Sequence, residues 1–234
     1  MDGIIAAGLS TSATSATAQI YGKVHQDILT GVLEPGRKLK IEELRQAYGT
    51  GSSPIREALS LLTSDGLVER VDQRGFRVSL VSTGAFEELL TTRCWLEERA
   101  LIESIEHGDQ AWEERVVLAE FHLSKTARSV SSNAFVANQD WELRHKDFHM
   151  ALISACGSSI LLNFCRQLYD QNVRYRHVAG KVAYPKRDTA KEHRAIMQAA
   201  LDRDTPSAVT SLVEHYRQTG NYLAKGLARI STDE

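Results

Sequence analysis

Residues 41–78, IEELRQAYGTGSSPIREALSLLTSDGLVERVDQRGFRV, form the stretch of sequence that decides the fold. Apolar residues at helical spacing over Ile41–Tyr48 predict one short helix, and Gly49–Gly51 interrupt it. A second helix opens at Ser52–Pro54, where serine can cap and proline fits the first turn, and it ends at Gly66. Two short helices across a turn that contains glycine predict a helix-turn-helix.

The flanking segments complete this unit. Upstream, Gln19–Thr30 has the spacing of an amphipathic helix, and Gly31 follows as its stop signal. Downstream, Leu67–Val71 and Phe76–Leu80 alternate in polarity, which predicts two strands joined by a hairpin turn at Asp72–Gly75. We therefore expect a winged helix-turn-helix DNA-binding domain over residues 18–81, preceded by a disordered tail over residues 1–17.

Composition limits the class of protein. The chain has 234 residues, of which 42% are hydrophobic and 25% charged, and these values fit two soluble globular domains. No apolar run approaches the roughly 20 residues that span a bilayer, and Ala6–Ala18 lacks the basic start of a signal peptide. Cys94, Cys156 and Cys165 are too widely spaced to indicate a disulfide framework or a metal knuckle. We expect a cytoplasmic protein with no membrane partner.

Charge alone does not indicate a nucleic-acid binder, because the net charge is −2 and the first 80 residues carry nine basic and nine acidic side chains. The basic residues are nevertheless grouped, at residues 37–40 and 70–77, as phosphate contacts require. The helix that opens at Ser52 is the third in chain order, and we expect its start in a major groove. The wing tip is expected in an adjacent minor groove. Singly, a residue such as Arg56 is equally explained as a solvated helix residue. The candidate DNA-contacting residues are Arg37, Lys40, Ser52, Ser53, Arg56, Gln73, Arg74 and Gly75.

Four motifs of this region, EPGRKL, IEELRQAYG, SPIREALSLLTSDGLVE and QRGFRV, resemble the DNA-binding domain of the GntR family. The resemblance implies a homodimer on a two-fold symmetric operator in double-stranded DNA. It also implies phosphate and base contacts from Ser53, Arg56, Arg74 and Gly75. Ser52 stands where the family usually has an arginine, so the operator sequence of relatives does not transfer to this chain.

From Thr83 onward the sequence predicts helices and no convincing strand, because apolar stripes at helical spacing are separated by glycine, proline or polar breaks. The predicted helices span residues 83–107, 110–129, 134–155, 158–179, 187–203 and 205–228. We expect an all-α antiparallel bundle over residues 83–228. The predicted fold class is therefore mainly α, with a winged helix-turn-helix ahead of a helical bundle.

Four histidines of this half are predicted to face its core. His145 and His149 are one helical turn apart, and His193 and His215 lie on the apolar faces of later helices. A single inward histidine is usually a satisfied core residue. Burying four imidazoles costs free energy unless they are hydrogen-bonded or coordinated, and one metal ion satisfies three or four of them. The pattern thus predicts a divalent transition-metal site at His145, His149, His193 and His215.

The segments TTRCWLEERAL, HKDFHMALISACGSSILL, EHRAIMQAALDRD and EHYRQT resemble the FCD effector domain of the FadR subfamily, over most of residues 85–225. The resemblance implies that the four histidines are metal ligands and that the domain binds a small organic acid and dimerises. His145 stands where the subfamily usually has Asp or Asn, which favours zinc, with nickel or manganese as alternatives. The motifs RHKDFH and CGSSILL are also similar to the CsiR-like branch, whose members respond to short dicarboxylates.

Arginines are the expected partners of an acid in a closed cavity, because the planar guanidinium pairs with carboxylates. Arg93 matches the arginine of the family's first effector-domain helix. Arg174, Tyr175 and Arg176 are further candidates, and surface positions on an amphipathic helix would explain the two arginines equally well. The predicted effector-binding residues are Arg93, Arg174 and Tyr175.

Two other function classes stay open. A histidine-rich bundle fits a metal-dependent hydrolase, but beyond Glu192 no acid lies at general-base spacing, and no nucleophile motif, phosphate loop or Rossmann fingerprint is present. A DNA-binding protein with a purely structural metal site is the second alternative, and ligand-independent operator binding would indicate it. We expect a ligand-responsive bacterial transcriptional regulator and not an enzyme.

Overall fold

The computed structural model describes residues 15–131, 133, 136–180 and 187–232, except for the side chains of residues 180 and 228–232. The chain divides into an N-terminal unit, up to Ile28 together with Leu33–Ser79, and a C-terminal unit, Leu29–Val32 together with the residues from Leu80 onward. Residues 1–14 of the predicted tail lie outside the described part. The tail prediction over residues 1–17 is wrong at its end, because the first helix begins at Ala16.

The N-terminal unit contains three helices and a three-stranded antiparallel sheet among its described residues. The helices are α1 (Ala16–Leu29), α2 (Ile41–Tyr48) and α3 (Ser52–Ser64), and the strands are β1 (Lys38–Leu39), β2 (Val68–Val71) and β3 (Gly75–Val78). The sheet order is β1-β3-β2, so the hairpin is the wing of the predicted helix-turn-helix. Strand β1 was not predicted, because two residues are too few to show alternation.

The local geometry of this unit follows from a few backbone positions. Gly49 ends α2 in the left-handed region, with φ 63° and ψ 41°, which turns the chain toward α3. At the wing tip, Gln73 and Gly75 have φ 57° and 87°, which closes the tight turn between β2 and β3. In the hydrogen-bonded ladder, Val68–Val71 pairs with Gly75–Val78. The first predicted strand therefore begins one residue too early, at Leu67, and the second ends two residues too late, at Leu80.

The C-terminal unit is all-α apart from an isolated bridge between Ser129 and Ala137, as far as the structure describes it. Its helices are α4 (Thr83–His107), α5 (Gln110–Ser124), α6 (Gln139–Leu152), α7 (Ser159–Gly180), α8 (Thr189–Leu201) and α9 (Thr205–Thr232). The mainly α fold class is confirmed. The predicted break after Gly180 falls largely on residues 181–186, which lie outside the described part.

The connection between α5 and α6 corrects two predicted helix ends. Helix α5 ends at Ser124 instead of residue 129, and α6 begins at Gln139 instead of residue 134. The Thr126 hydroxyl donates to the carbonyl of His122 (2.9 Å), and the Asn138 side chain accepts from the amide of Asp140 (3.1 Å). Such short polar side chains compete for backbone groups and end helices, which apolar periodicity does not show.

Buried side chains from several helices form the main core of the C-terminal unit. Helix α4 packs against α7 and α9, α5 packs against α6 and α8, and α8 packs against α9. Leu101, Trp112, Phe148 and Ile196 are fully buried there, and the Trp112 indole donates to the carbonyl of Ala151 (3.1 Å). This core joins α6, α8 and α9, the helices that carry the four histidines. No helix in the described residues combines the length and apolarity needed to cross a bilayer.

Candidate metal centre and DNA-binding surface

Four buried histidine side chains meet in the C-terminal unit. His145 and His149 lie on α6, His193 on α8 and His215 on α9, and each is at most 4% exposed. One ring nitrogen from each lies within 4.8 Å of the other three. The four-residue spacing on α6 places two rings on one face of the helix. Packing of α8 and α9 brings the other two to the same point.

The environment of the cluster keeps the four imidazoles neutral. Burial, reinforced by the neighbouring rings, lowers the pKa of His145, His149 and His193 well below 6.5, because both effects penalise the charged form. Burial also lowers the pKa of His215 to about 4, although its hydrogen bond to Glu192 opposes this shift. A neutral imidazole is the form that binds a metal, so the cluster is ready for coordination at neutral pH.

Hydrogen-bond partners hold the outer nitrogens of three rings. His145 Nδ1 lies 2.5 Å from the Tyr169 hydroxyl, and His149 Nδ1 lies 2.8 Å from the Tyr216 hydroxyl. His215 Nδ1 lies 2.8 Å from Glu192 Oε2. Burial would raise the pKa of Glu192, but hydrogen bonds from His215 and Arg187 outweigh it and lower the pKa to about 2. The ionised Glu192 accepts a hydrogen bond from Nδ1–H of His215, which leaves Nε2 of His215 as a lone-pair donor.

A buried chain of polar groups sets the orientation of His149 in a similar way. The Tyr216 hydroxyl donates to Glu97, so its oxygen accepts from Nδ1 of His149. Burial raises the pKa of Tyr216 well above 10, which keeps the phenol protonated. Arg93 Nε donates to the same Glu97 carboxylate (2.5 Å), so the charge of Glu97 is balanced inside the core. The Nε2 lone pair of His149 is thereby directed into the cluster.

The nitrogens at the centre of the cluster fit a cation. His149 Nε2 and His145 Nε2 are 3.1 Å apart, and the buried His193 Nε2 has no hydrogen-bond partner in the described structure. A buried polar atom without a partner costs free energy, and the two Nε2 atoms share a hydrogen bond only when one of them carries a proton. One divalent cation would satisfy all of them, and an all-imidazole donor set suits zinc or nickel better than magnesium. Glu103, Glu106 and His107 also approach one another, but two of them are exposed to water, which satisfies them.

A small cavity adjoins the cluster. Its volume is about 20 Å³, and three arginines, Arg93, Arg128 and Arg176, line it together with His145 and His215. A space of this size holds about one water-sized group. The positive lining favours an anion, but an organic acid enters only if the lining side chains move.

The structure changes the choice of effector-binding residues on α7. Arg93 lines the cavity, whereas Arg174 and Tyr175 do not; the Tyr175 ring packs 4.9 Å from that of Phe86, in a separate apolar cluster. Successive helix residues are 100° apart, so residues 174 and 176 point in different directions. The structure therefore favours Arg176 over Arg174 and Tyr175.

Arg128 is a cavity residue that sequence reasoning did not single out. It lies in the connection between α5 and α6, with its guanidinium carbon 5.1 Å from the centre of the Trp141 ring. The Trp141 ring stacks in turn on His145, with centroids 4.5 Å apart. The sequence predicted a helix over residues 110–129, but α5 ends at Ser124, so helical periodicity gave no guide to the direction of Arg128. A signal does exist for Asn172 and Arg176, which both line the cavity: they are four residues apart on α7, a spacing that places them on one face of the helix.

The DNA-binding candidates lie in the N-terminal unit, and all eight are exposed. On α3, Ile55 and Leu59 face the core, while Ser52, Ser53 and Arg56 face solvent. The α3 start offers backbone N–H groups that suit a phosphate. The wing carries Gln73, Arg74 and Gly75 at its tip, and Arg37 and Lys40 flank β1. Their contact with DNA stays a prediction.

A carboxylate at α3 is the feature that sequence reasoning missed here. The hydroxyls of Ser53 (3.0 Å) and Thr17 (2.6 Å) both donate to Glu57, and these hydrogen bonds lower its pKa. Glu57 is thus a negative charge one turn from Ser53, where a phosphate is expected. The spacing of four residues between Ser53 and Glu57 was visible in the sequence.

Comparison with protein families gives two matches that together span most of the chain. Residues 16–78 match the model described as bacterial regulatory proteins, gntR family. Residues 88–218 match the model of the FCD domain. The first range covers the helix-turn-helix and the wing, and the second covers all four histidines.

Known proteins of similar sequence or fold are regulators. The chain is 38% identical to the "Uncharacterized HTH-type transcriptional regulator BphR" of Paraburkholderia xenovorans (strain LB400), over 83% of this chain and 80% of that protein. It is 31% identical to the "HTH-type transcriptional repressor GlaR" of Escherichia coli (strain K12), over 83% of this chain and 90% of that protein. The solved structure of E. coli McbR/YncC superposes with a TM-score of 0.76 at 20% identity, covering 91% of this chain and 99% of that one, which shows a shared fold.

Proposed function

Since this chain belongs to the GntR family of bacterial regulators and carries an FCD effector domain, we propose that it senses a small carboxylic acid at a metal bound by four histidines. GntR regulators bind operator DNA and FCD domains bind small-molecule effectors. The chain is accordingly a transcriptional regulator and not an enzyme. The observation that carries the sensing proposal is the meeting of four buried, neutral imidazoles beside three arginines.

The metal is held, in this proposal, by His145, His149, His193 and His215. Tyr169, Tyr216 and Glu192 fix the orientation of three of the rings through the outer nitrogens, which are 2.5 to 2.8 Å away. Zinc is the first choice for an all-imidazole donor set, with nickel or manganese as alternatives. When bound, the cation adds a positive centre to which a carboxylate can be attracted.

The acid is bound by the arginines that line the cavity. Arg93 is balanced by Glu97 and Arg176 by Glu142, so an entering carboxylate competes with these acids for the guanidinium groups. Because the cavity holds only about 20 Å³, effector binding is coupled to movement of its lining. Ligand binding that requires such movement shifts the population of conformations, which is how it can change operator affinity. The CsiR-like motifs make short dicarboxylates the first class to test.

The DNA-binding part of the proposal is a homodimer on a two-fold symmetric operator. A symmetric dimer presents two α3 helices to two half-sites, which doubles the contact area. Arg56 and the α3 start contact bases and phosphates, while Arg74 enters the adjacent minor groove. The target is chromosomal DNA, so we expect the protein to act in the cytoplasm.

A structural metal site is the second candidate, and the small cavity favours it. A cation that only ties α6, α8 and α9 together needs no space for an effector. In that case operator affinity depends on the metal and on no acid. The two candidates share the coordination scheme and differ only in their response to acids.

One set of measurements tests both candidates. Metal content of the purified protein is measured by mass spectrometry, and operator affinity is measured by gel shift against short mono- and dicarboxylates. We expect about one metal per chain in the wild type, a loss of metal in His193→Gln and His149→Ala, and a change in affinity with at least one acid. His122→Ala is the matched control, because His122 is exposed on α5 and should keep the metal. A wild type without metal contradicts the proposal, and metal without any acid response leaves the structural site.

A further inference from the structure

Helix α5 is apolar on both sides, which sets it apart from an ordinary surface helix. Trp112 and Val116 face the core and are fully buried. On the opposite side, Val117, Leu118 and Phe121 are 46%, 55% and 52% exposed. Three large apolar side chains within two turns form a patch of the kind that marks interaction sites.

This outward patch lies in a groove. The groove has a volume of about 670 Å³ and is lined by α5 residues together with Leu201, at the end of α8. It is a surface of the C-terminal unit alone. Its lining is apolar at the centre and acidic toward the start of α5, where Glu113 and Glu114 lie.

The spacing along the outer face of α5 is that of a helix-pairing seam. Glu114, Leu118, Phe121 and Lys125 follow one another at intervals of four, three and four residues. Such a repeat places the four side chains in one line and suits packing against a second helix. Lys125 is the residue directly after α5 and keeps helical φ and ψ angles, so it continues the line.

The order of charges in this line fits an antiparallel copy of itself. A two-fold axis between residues 119 and 120 sets Leu118 opposite Phe121 of the second copy, and the reverse. The same axis sets Glu114 opposite Lys125 of the second copy, so the apolar centre is closed at both ends by opposite charges. Self-complementarity of one patch is the property that a two-fold symmetric interface requires. A parallel pairing would instead set Glu114 against Glu114.

We propose that the outer face of α5 is a dimerisation surface, where Val117, Leu118 and Phe121 pack against the antiparallel α5 of a second copy of this chain. The inference rests on the homodimer of the proposed function and names its surface. The apolar side chains supply the affinity, and the pairing of Glu114 with Lys125 fixes the antiparallel register.

Sedimentation equilibrium of the full-length protein tests the surface. We expect the wild type to be a dimer and Leu118→Asp to raise the dimer dissociation constant by about 100-fold or more, because a carboxylate would be buried at the apolar centre. The matched control is Ile160→Asp, which places the same charge at a residue that is 70% exposed on α7, away from the groove. This control should dimerise as the wild type does.

Charge reversal gives a second test that does not depend on the apolar centre. Glu114→Lys alone sets lysine against Lys125 and should raise the dissociation constant by about 10-fold. Adding Lys125→Glu restores opposite charges in the reversed order and should restore most of the affinity. If the double variant loses as much dimerisation free energy as the two single variants lose together, the antiparallel register is overturned.

The outcomes separate this surface from the proposed function. A Leu118→Asp variant that dimerises as tightly as the wild type overturns the α5 surface, while operator binding by that dimer keeps the regulator. A wild type that stays monomeric overturns the surface and the homodimer together.

Discussion

The two candidate sites of this protein are built in opposite ways. The eight DNA-binding candidates are exposed, and each is displayed by the helix or turn that carries it. The four histidines are buried, and they form a site only because three helices bring them together. An exposed residue is replaced with little effect on the fold, whereas a buried polar residue is part of the fold. Function and stability should therefore separate in the N-terminal unit and be coupled in the C-terminal unit.

Two ion pairs on α4 give the sharpest test of this contrast. Both have a spacing of four residues, but Arg93 and Glu97 are 2% and 0% exposed, whereas Arg99 is 65% exposed in its pair with Glu103. We expect Glu97→Ala to reduce the free energy of unfolding by about 3–5 kcal/mol, because it leaves Arg93 buried without its partner. Glu103→Ala is the matched control and should cost at most about 1 kcal/mol. Urea unfolding measures both, and equal effects would break the comparison.

Metal removal should produce the next largest effect, and only in the C-terminal unit. A ligand that binds the folded state alone stabilises it by about 2.7 kcal/mol at a concentration 100 times its Kd. We expect a chelator to lower the melting temperature of the wild type, and restored zinc to raise it again. His193→Gln should melt at the same temperature with and without chelator, because its fourth nitrogen ligand is lost. A wild type that is insensitive to the chelator would contradict the coordination scheme.

On the N-terminal side, Arg56→Ala should change DNA binding without changing stability. Loss of one good base or phosphate contact costs about 1–3 kcal/mol of operator binding. A gel shift measures the affinity, and circular dichroism measures the thermal unfolding. Thr63→Ala, an exposed residue near the other end of α3, is the control and should bind as the wild type does. Unchanged affinity in Arg56→Ala would remove this residue from the DNA-binding surface.

The smallest expected effect is a gain of affinity at Glu57. This carboxylate holds the hydroxyls of Ser53 and Thr17 and lies where a phosphate is expected. Glu57→Gln keeps one oxygen that accepts from one of the two hydroxyls, and its amide group can donate to the other. The substitution removes the negative charge, so operator affinity should rise a few-fold at low salt. The gain should shrink as salt rises, since exposed charges are screened. Weaker binding by Glu57→Gln would mean that the carboxylate itself positions Ser53 for DNA contact.

Most of the fold could be predicted from the sequence, because each helix and strand shows in its own pattern of apolar, polar and glycine residues. The glycine-interrupted helices around Gly49 and the alternating strands around Gly75 predict the winged helix-turn-helix without tertiary information. The end of α5 and the start of α6 were wrong because side chains such as Asn138, which caps the start of α6, set helix bounds through hydrogen bonds and not through periodicity. Arg128 could not be found for a related reason, since it lies in the connection between those helices.

The sequence by itself determined which histidines face inward, because helical periodicity gives the direction of a side chain about its own axis. It also determined the resemblance to GntR and FCD proteins, which the family comparisons confirm. Only the tertiary structure decided that one ring nitrogen from each of the four residues His145, His149, His193 and His215 lies within 4.8 Å of the others. It also decided that Arg176, and not Arg174, lines the cavity beside them. The physical reason is that the distance between side chains on different helices depends on how the helices pack, and no spacing within one helix contains it.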